Sequence, residues 1–491
     1  MSNAASTQPR ACYGRLHSVF MVTLWLTGCA THVPQVLTTP MIPKAFIEST
    51  GGSEPIWPQP QWWQDFGSPE LSDFLAKAQA DNRDLAIAAA RVLTAQAQTT
   101  IQRSAYFPTF NAQVQGQRSS ANDSLTTSSS SNGNSFGFSL GASYEVDLWG
   151  VARSNLRSAK ESLKASRFAQ QGVALTLTAS VANTYFSVLT LRKRIAIANE
   201  NVTAINGILD IIKLKVATGK SSHLDLAQEQ AQVEAVEAQL PVLEEQELEA
   251  RVALAVLLGK PPEGFEVKTP NADSIQSPVV SVGLPSDLLL RRPDVAQAEA
   301  SLASAHANLD AARAAFLPDF ALTGNGGYAS AAIGMLLRGP SVAWEYGAEV
   351  LQTVFDGGKL IGQRRLAEAT QRELIATYQG TVLNAYADVE NALGQVKNNG
   401  KAEEHLGREV RAAREAFEIA QLQFRQGTTD LLTVLQAQQT LFFAEDQLAQ
   451  IRLARMQGTV HLYEALGGGW VERPDERTQT FAAVAPLLAP N

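Results

Sequence analysis

The chain has almost no cysteine. Of its 491 residues only Cys12 and Cys29 are cysteines, and both lie near the N-terminus. No disulfide framework can hold the body together. Histidine is nearly as scarce. His17, His32, His223, His306, His405 and His461 are scattered and lack the short spacing of a metal-ligand set. Proline is absent from two long stretches, between Pro108 and Pro241 and between Pro340 and Pro474. Positive charge is in deficit: 40 Lys and Arg face 48 Asp and Glu, a formal net charge of −8. Phosphate binding needs clustered Lys and Arg, so this balance argues against nucleic acid as a partner. Charged residues at 18% and hydrophobic ones at 45% describe a folded chain and not a disordered one. Motifs of chemistry are missing too. There is no GxSxG element. Thr218-Gly219-Lys220-Ser221 looks like the end of a phosphate loop, but the first glycine of that motif is replaced by Leu214. The segment reads instead as a glycine turn between helices, repeated at Gly427. No catalytic residue, metal site or soluble cofactor is expected, so energy for any work must come from a partner.

The first residues read as an export signal. Arg10 and Arg15 are basic, and no acid precedes Glu48. Residues 16–28 are mostly apolar. They are too few for a bilayer-spanning helix, which needs about 20 residues, but suit a signal-peptide core. The run ends in Leu26-Thr27-Gly28-Cys29, which looks like a bacterial lipobox. On that reading residues 1–28 are removed and Cys29 becomes the first residue, carrying a covalent lipid. The alternative is an ordinary signal peptide with Cys29 incidental. Removing Arg10 and Arg15 takes the net charge from −8 to −10. Residues 29–68 hold Pro34, Pro40, Pro43, Pro55, Pro58 and Pro60, and read as an extended strap.

What the chain does have is a duplication. Asp84 and Pro108 match Asp294 and Pro318 at a constant offset of 210. Gly150 then pairs with Gly358, Gly219 with Gly427, and Leu258-Gly259 with Leu466-Gly467, all at 208. The two-residue change falls between Pro108 and Gly150. Val202, Ile205, Leu209, Ile212 and Val216 form a heptad stripe; their partners are Val410, Ala413, Phe417, Ala420 and Phe424. With no proline to interrupt it, the segment from Gly150 to Thr218 is expected to be nearly continuous helix, a rod of about 100 Å. Such a rod cannot bury itself and must lie beside neighbours of equal length, which the second copy supplies.

Each copy also contains a segment of period two. Phe136, Phe138, Leu140, Ala142, Tyr144 and Val146 alternate with small or polar residues, as do Val342, Trp344, Tyr346, Ala348 and Val350. Phe110, Ala112 and Val114 continue the pattern upstream, and Ser119 to Asn134 reads as an exposed loop. Alternation of this length fits a half-buried hairpin or a transmembrane β-barrel strand. An export signal and the lack of a transmembrane helix favour the barrel. Two hairpins give only four strands, whereas membrane barrels need at least about eight and leave no edge unpaired in lipid. Several chains must therefore share one barrel.

From Trp62-Trp63-Gln64-Asp65-Phe66 to about Gly469 the chain resembles the TolC/OprM (NodT) family of outer-membrane efflux lipoproteins. The hallmarks are Leu288-Leu289-Leu290-Arg291-Arg292-Pro293-Asp294, Glu145-Val146-Asp147-Leu148-Trp149-Gly150 and Phe355-Asp356-Gly357-Gly358. The Arg-Arg-Pro-Asp run also has a purely structural reading, since proline and an acid both suit a helix start. The resemblance implies a mostly α protein with transmembrane β. It would be an internally duplicated, long-helix α-barrel protomer whose two β-hairpins contribute four strands to a shared, trimeric, twelve-stranded barrel. The expected organisation is signal peptide 1–28, strap 29–68, first repeat 69–259 (hairpin about 109–149), linker 260–284, second repeat 285–469 (hairpin about 319–356) and tail 470–491. The implied function is passive: an outer-membrane channel of a tripartite, RND-type efflux system. Its partners would be two further copies of itself, a periplasmic adaptor, an inner-membrane transporter and outer-membrane lipid. The alternatives are the duct of a type I secretion system, a periplasmic adaptor lipoprotein and, last, a secreted enzyme on a helical scaffold.

Gly219 and Gly427 would then mark the far periplasmic tip. Asp225 and Asp430 follow them and are candidate gate acids, or else simple helix caps. Asp225 matches an acid position of the family's first copy. In the second copy the family's acid positions hold Thr433 and Gln436, and its lock arginine is replaced by Thr429. Leu431 and Leu432 complete the candidate constriction.

Overall fold

Both halves of the chain repeat one plan: a helix, two strands, a long rod and a helical return. The first half comprises α1 (Pro69–Asp81), α2 (Arg83–Ser104), β1 (Thr109–Ala121), β2 (Ser131–Glu145), α3 (Val151–Ala217), α4 (His223–Glu237) and α5 (Gln239–Leu257). The second comprises α6 (Pro293–Ala314), β3 (Asp319–Ser330), β4 (Val342–Leu351), α7 (Lys359–Gln426) and α8 (Leu431–Ala465). This computed structural model describes residues 46–47, 58–121, 131–278 and 291–470. The leader, Cys29, most of the strap, the centre of the Ser/Thr-rich loop, the leucines of the Leu-Leu-Leu-Arg-Arg motif and the tail beyond Trp470 lie outside the described residues.

α3 and α7 are rods of 67 and 68 residues, about 100 Å each. Their starts share one device. The N-cap residues Gly150 and Gly358 are left-handed and have no side chain to accept from the first turn. An aspartate just upstream does so instead. Asp147 accepts from the N–H groups of Ala152 (3.1 Å) and Arg153 (2.9 Å). Asp356 accepts from Gly358, Lys359 and Leu360 at 2.8–3.1 Å. The two aspartates of the hallmark motifs are thus helix caps set outside the helix.

The return helices differ between copies. α8 runs unbroken for 35 residues, whereas its counterpart is divided into α4 and α5 at Ala238. Pro241 sits in the first turn of α5, where its missing N–H costs little; in the second copy that place is Ala449.

The strands form one antiparallel sheet in the order β1-β2-β3-β4, and the β2–β3 pairing joins the two copies. Register decides the faces. Phe110 pairs with Ala142, Ala142 with Gly324, and Gly324 with Tyr346. Val114, Phe138, Tyr328 and Val342 form a second apolar row. Trp344 and Tyr346 stack at 5.8 Å and remain 73% and 79% exposed. Such side chains find no cover among the described residues. Among the described residues the outer edges of β1 and β4 are unpaired.

The main core lies at mid-height, where the short helices meet the rods. Trp62, Phe66, Leu75, Tyr185, Phe186 and Leu254 are its largest buried members. Trp62 stacks on Tyr463 at 4.8 Å, and Phe66 packs on Phe186 at 4.9 Å. The motif around Trp62 is therefore a wedge between the first rod and α8. α3 includes a stretch long and apolar enough to cross a membrane, half of it buried within the chain. The run from Leu177 to Leu189 supplies much of this core, which accounts for the apolar composition without a membrane. A second core, around Val382, Tyr386, Val389 and Leu462, serves the other rod.

Candidate functional site: the polar face of the sheet and the tip of the rods

The sheet separates its side chains without exception in sign of charge. The face opposite the apolar rows carries Asn111, Gln113, Gln115, Ser139, Ser143, Thr323 and Asn325. It also carries Asp319, Glu145, Glu345 and Glu349, and no Lys or Arg of the four described strands points there by register. Glu145 and Glu349 flank Ala321 from either side. Apolar out and polar in is the pattern of a strand between lipid and a water-filled lumen. Trp149 fixes the base of the sheet by donating from Nε1 to the Pro318 carbonyl at 2.8 Å, which ties the two copies together.

Below the sheet, Arg292 joins three elements. Its guanidinium binds Asp294 through Nε (3.0 Å) and Nη2 (2.7 Å), reaches Asp388 of α7 at 3.0 Å, and donates to the Ala465 carbonyl of α8 at 3.2 Å. This is the structural role of the Arg-Pro-Asp hallmark: a forked donor closing the mid-height layer. Nearby, a groove of about 520 Å3 between α3, α7 and α8 is rich in charge. Most of its ions are mutually engaged, Arg414 with Glu445, Arg452 and Arg455 with Glu403, and Lys193 with Asp273, while Glu200 is exposed at its edge. No group of three or more His, Cys, Asp or Glu among the described residues could hold a metal.

At the other end of the rods, Gly219 and Gly427 adopt φ of +71° and +78°, the left-handed turn that glycine makes without steric cost. The rods meet there. Ile208 and Ile212 of α3 pack with Ala420 and Phe424 of α7 and with Leu431 and Val434 of α8. Asp225 completes a capping box: its N–H donates to Ser222 Oγ at 3.1 Å, and its Oδ2 accepts from the Ser222 N–H at 2.9 Å and the Ser221 hydroxyl at 2.6 Å. Asp430 is the N-cap of α8 and accepts from the Thr433 N–H (2.9 Å) and hydroxyl (2.6 Å). The Ser221 and Thr433 hydroxyls, with the backbone N–H groups, hold both carboxyls below the usual aspartate range. Asp430 and Thr433 are thus brought together. Leu431 is buried in the tip cluster, while Leu432, at 61% exposure, and Gln436 are left on the surface.

Two tip residues were not anticipated. Lys215 donates to the Phe424 carbonyl at 2.9 Å and lies 3.6 Å over the Phe424 ring, so it staples one rod end to the other. Its position in the last turn of a helix was a legible signal; its partner was not. Glu229 is fully buried in α4. The spacing of Leu226, Glu229, Val233 and Val236 put it on an apolar stripe, and that pattern could have revealed it.

Comparison with known proteins agrees with this geometry. The family described as "Outer membrane efflux protein" matches residues 74–260 and 284–468. The pyoverdine export outer membrane protein OpmQ of Pseudomonas putida is 39% identical over 456 residues, covering 91% of this chain and 96% of its own. The solvent efflux pump outer membrane protein SrpC, also of Pseudomonas putida, is 35% identical over 82% of this chain and 86% of its own. The structure of the outer-membrane channel OprN superposes with a TM-score of 0.83 at 27% identity, covering 88% of this chain and 98% of that one. A membrane-facing sheet, two rods of about 100 Å and a duplicated plan thus coincide with matches over both repeats: the chain belongs to the TolC/OprM-type outer-membrane efflux protein family and is an outer-membrane efflux channel with a long periplasmic helical extension.

Proposed function

We propose that three copies of the chain form one passive duct, lipid-anchored through Cys29, that catalyses no reaction. It receives cargo from a periplasmic adaptor and an RND-type inner-membrane transporter. The observation that carries the reading is the four-stranded sheet with two unpaired edges and an uncovered apolar face. In lipid those edges must be closed by other chains. Three sheets give twelve strands, consistent with the family. The lumen then presents the acidic, Ser- and Gln-rich face, and the six rods surround its continuation.

Cargo selection belongs to the transporter in this reading. Relatives of the chain carry names as different as pyoverdine export, solvent efflux and cation efflux proteins. Among the described residues, nothing in the lumen face beyond its negative charge distinguishes one solute from another. The anchoring at Cys29 rests on the lipobox alone, and a lipid there adds apolar attachment beyond the barrel's own.

The mass of the detergent-purified protein tests the assembly, with a trimer expected; a stable monomer that still inserts into bilayers would refute it. Labelled fatty acid should be incorporated by the wild-type chain and not by Cys29→Ala. Equal labelling of both would remove the anchor from the proposal and leave the duct untouched.

A further inference from the structure

Glu229 is an anomaly in the seam between α3 and α4. It is 0% exposed, and neither carboxylate oxygen has a hydrogen-bond partner among the described residues. Leu226, Val233 and Val236 share its face of α4 and pack against Val202, Ile205 and Leu209 of α3. The duplication supplies an internal comparison. At the repeat's offset of 208, Glu229 corresponds to Ala437, which packs against the tip cluster of Ile208, Phe424, Leu431 and Val434. An apolar residue therefore satisfies the same seam in the other copy.

α4 is set off from the rod at one end. It is a helix of 15 residues that follows the Gly219 turn; at Ala238 the backbone stays helical, with its N–H on the Glu234 carbonyl at 2.9 Å, and the ladder is weakened just beyond, where Pro241 has no N–H to donate. Its counterpart α8 has Ala449 at that place and runs on.

We propose that Glu229 makes α4 a proton-operated latch at the tip: neutral, it lets α4 lie in the α3 seam; ionised, it drives α4 out of the seam into water. A buried carboxylate without a partner is strongly disfavoured, whereas the neutral acid is tolerated. Burial accordingly pushes the Glu229 carboxyl up to about 7. The charged groups on neighbouring elements are engaged or exposed. On α3, Asp210 pairs with Lys213 at 3.2 Å, and Lys215 is held by Phe424. On α5 the first charged residue, Glu244, is exposed. On α8, Asp430 is bound to Thr433. On α4 itself Asp225 is bound to Ser221 and Ser222, and His223, Glu234 and Glu237 are exposed.

The direction follows from linkage. The packed helix holds the proton and the displaced helix, with an ordinary glutamate value of 4.5, releases it. Packing is therefore strongest below that value, weakens as pH rises towards about 7, and then levels off. Each unit between the two values is tenfold in the ratio of packed to displaced α4, so the whole window spans about two orders of magnitude.

Hydrogen exchange of the purified full-length protein in detergent tests the latch. Exchange is compared at about pH 5.5 and about pH 8 and corrected for intrinsic base catalysis. Opening of α4 should rise about tenfold or more at the higher pH, while the equivalent segment of α8 changes little. In Glu229→Gln, and in Glu229→Ala should the amide variant not fold, the difference should disappear. A wild-type protein without the difference, or variants that keep it, would overturn the proposal. Conductance in planar bilayers separates the latch from the candidate constriction that the sequence places at the tip. A conductance that rises with pH in wild type and not in Glu229→Ala supports both. An exchange difference with no change in conductance upholds the latch and overturns the tip as the controlling constriction.

Discussion

At the residue scale, the acids near the two tip turns are capping groups first. Asp225 and Asp430 each satisfy backbone N–H groups at a helix start, and their carboxyls are stabilised as anions by those bonds. Because the hydroxyl and N–H donors lower both carboxyls from 3.8, the caps are intact at neutral pH and are lost as pH falls through the lowered values. Glu229 runs the opposite way, so the tip has caps that fail in acid and a seam that loosens towards neutrality. Exchange of amides 223–226 and 431–434 should therefore accelerate, after intrinsic correction, only below the ordinary aspartate range. Ser222→Ala removes the uncharged half of the capping box and should weaken α4 by about 1 kcal/mol, seen as faster exchange in its first turn. Lys215→Met keeps the aliphatic stem but deletes both the bond to the Phe424 carbonyl and the cation over its ring. Faster exchange confined to residues around 424–428 is expected; protection identical to wild type would show that the staple carries no weight.

The elements follow from local pattern and its interruptions. The rods are long because proline is absent and because glycine with an upstream aspartate starts each one. The sheet is flat in pattern but two-sided in chemistry. Leu140 and Ser139 are adjacent on β2 and face opposite ways. An arginine on the lipid side costs about 2–4 kcal/mol near the bilayer midplane, whereas a lumen position is wet. Leu140→Arg should therefore reduce the fraction of heat-modifiable, membrane-inserted protein sharply, and Ser139→Arg should leave it close to wild type. Equal effects of the two would contradict the assignment of faces.

At the scale of the whole molecule the charge of the lumen is the property that survives assembly. Asp319, Glu145, Glu345 and Glu349 recur in every copy on the polar face, which carries no Lys or Arg of the described strands; Arg118, near the end of β1, lies on the other face. Fields of one sign inside low-dielectric walls attract counter-ions and repel co-ions. A bilayer reversal potential measured across a salt gradient should show preference for cations. Combining Glu145→Gln, Glu345→Gln and Glu349→Gln should move that potential towards zero, with little loss of insertion. An unchanged potential would place selectivity elsewhere along the duct, at the tip included.

Much of this protein was written locally. The offset of 208, the missing prolines and the period-two stretches determined the rods, the strands and the duplicated plan, because helix and strand periodicity depend on neighbours a few positions away. The hallmark motifs determined the family. Tertiary structure decided what the marked residues do. Asp225 and Asp430 could be read as gate acids or as caps, and only the turn geometry shows their bonds to Ser222 and Thr433. Leu431 and Leu432 were equivalent in the sequence, yet one is buried in the tip cluster and the other is exposed. Lys215 meets Phe424 across 209 positions, and Glu229 is buried by residues on another helix. Burial and long-range contact are properties of which surfaces meet, and a linear pattern carries them only as far as the next turn of the same helix.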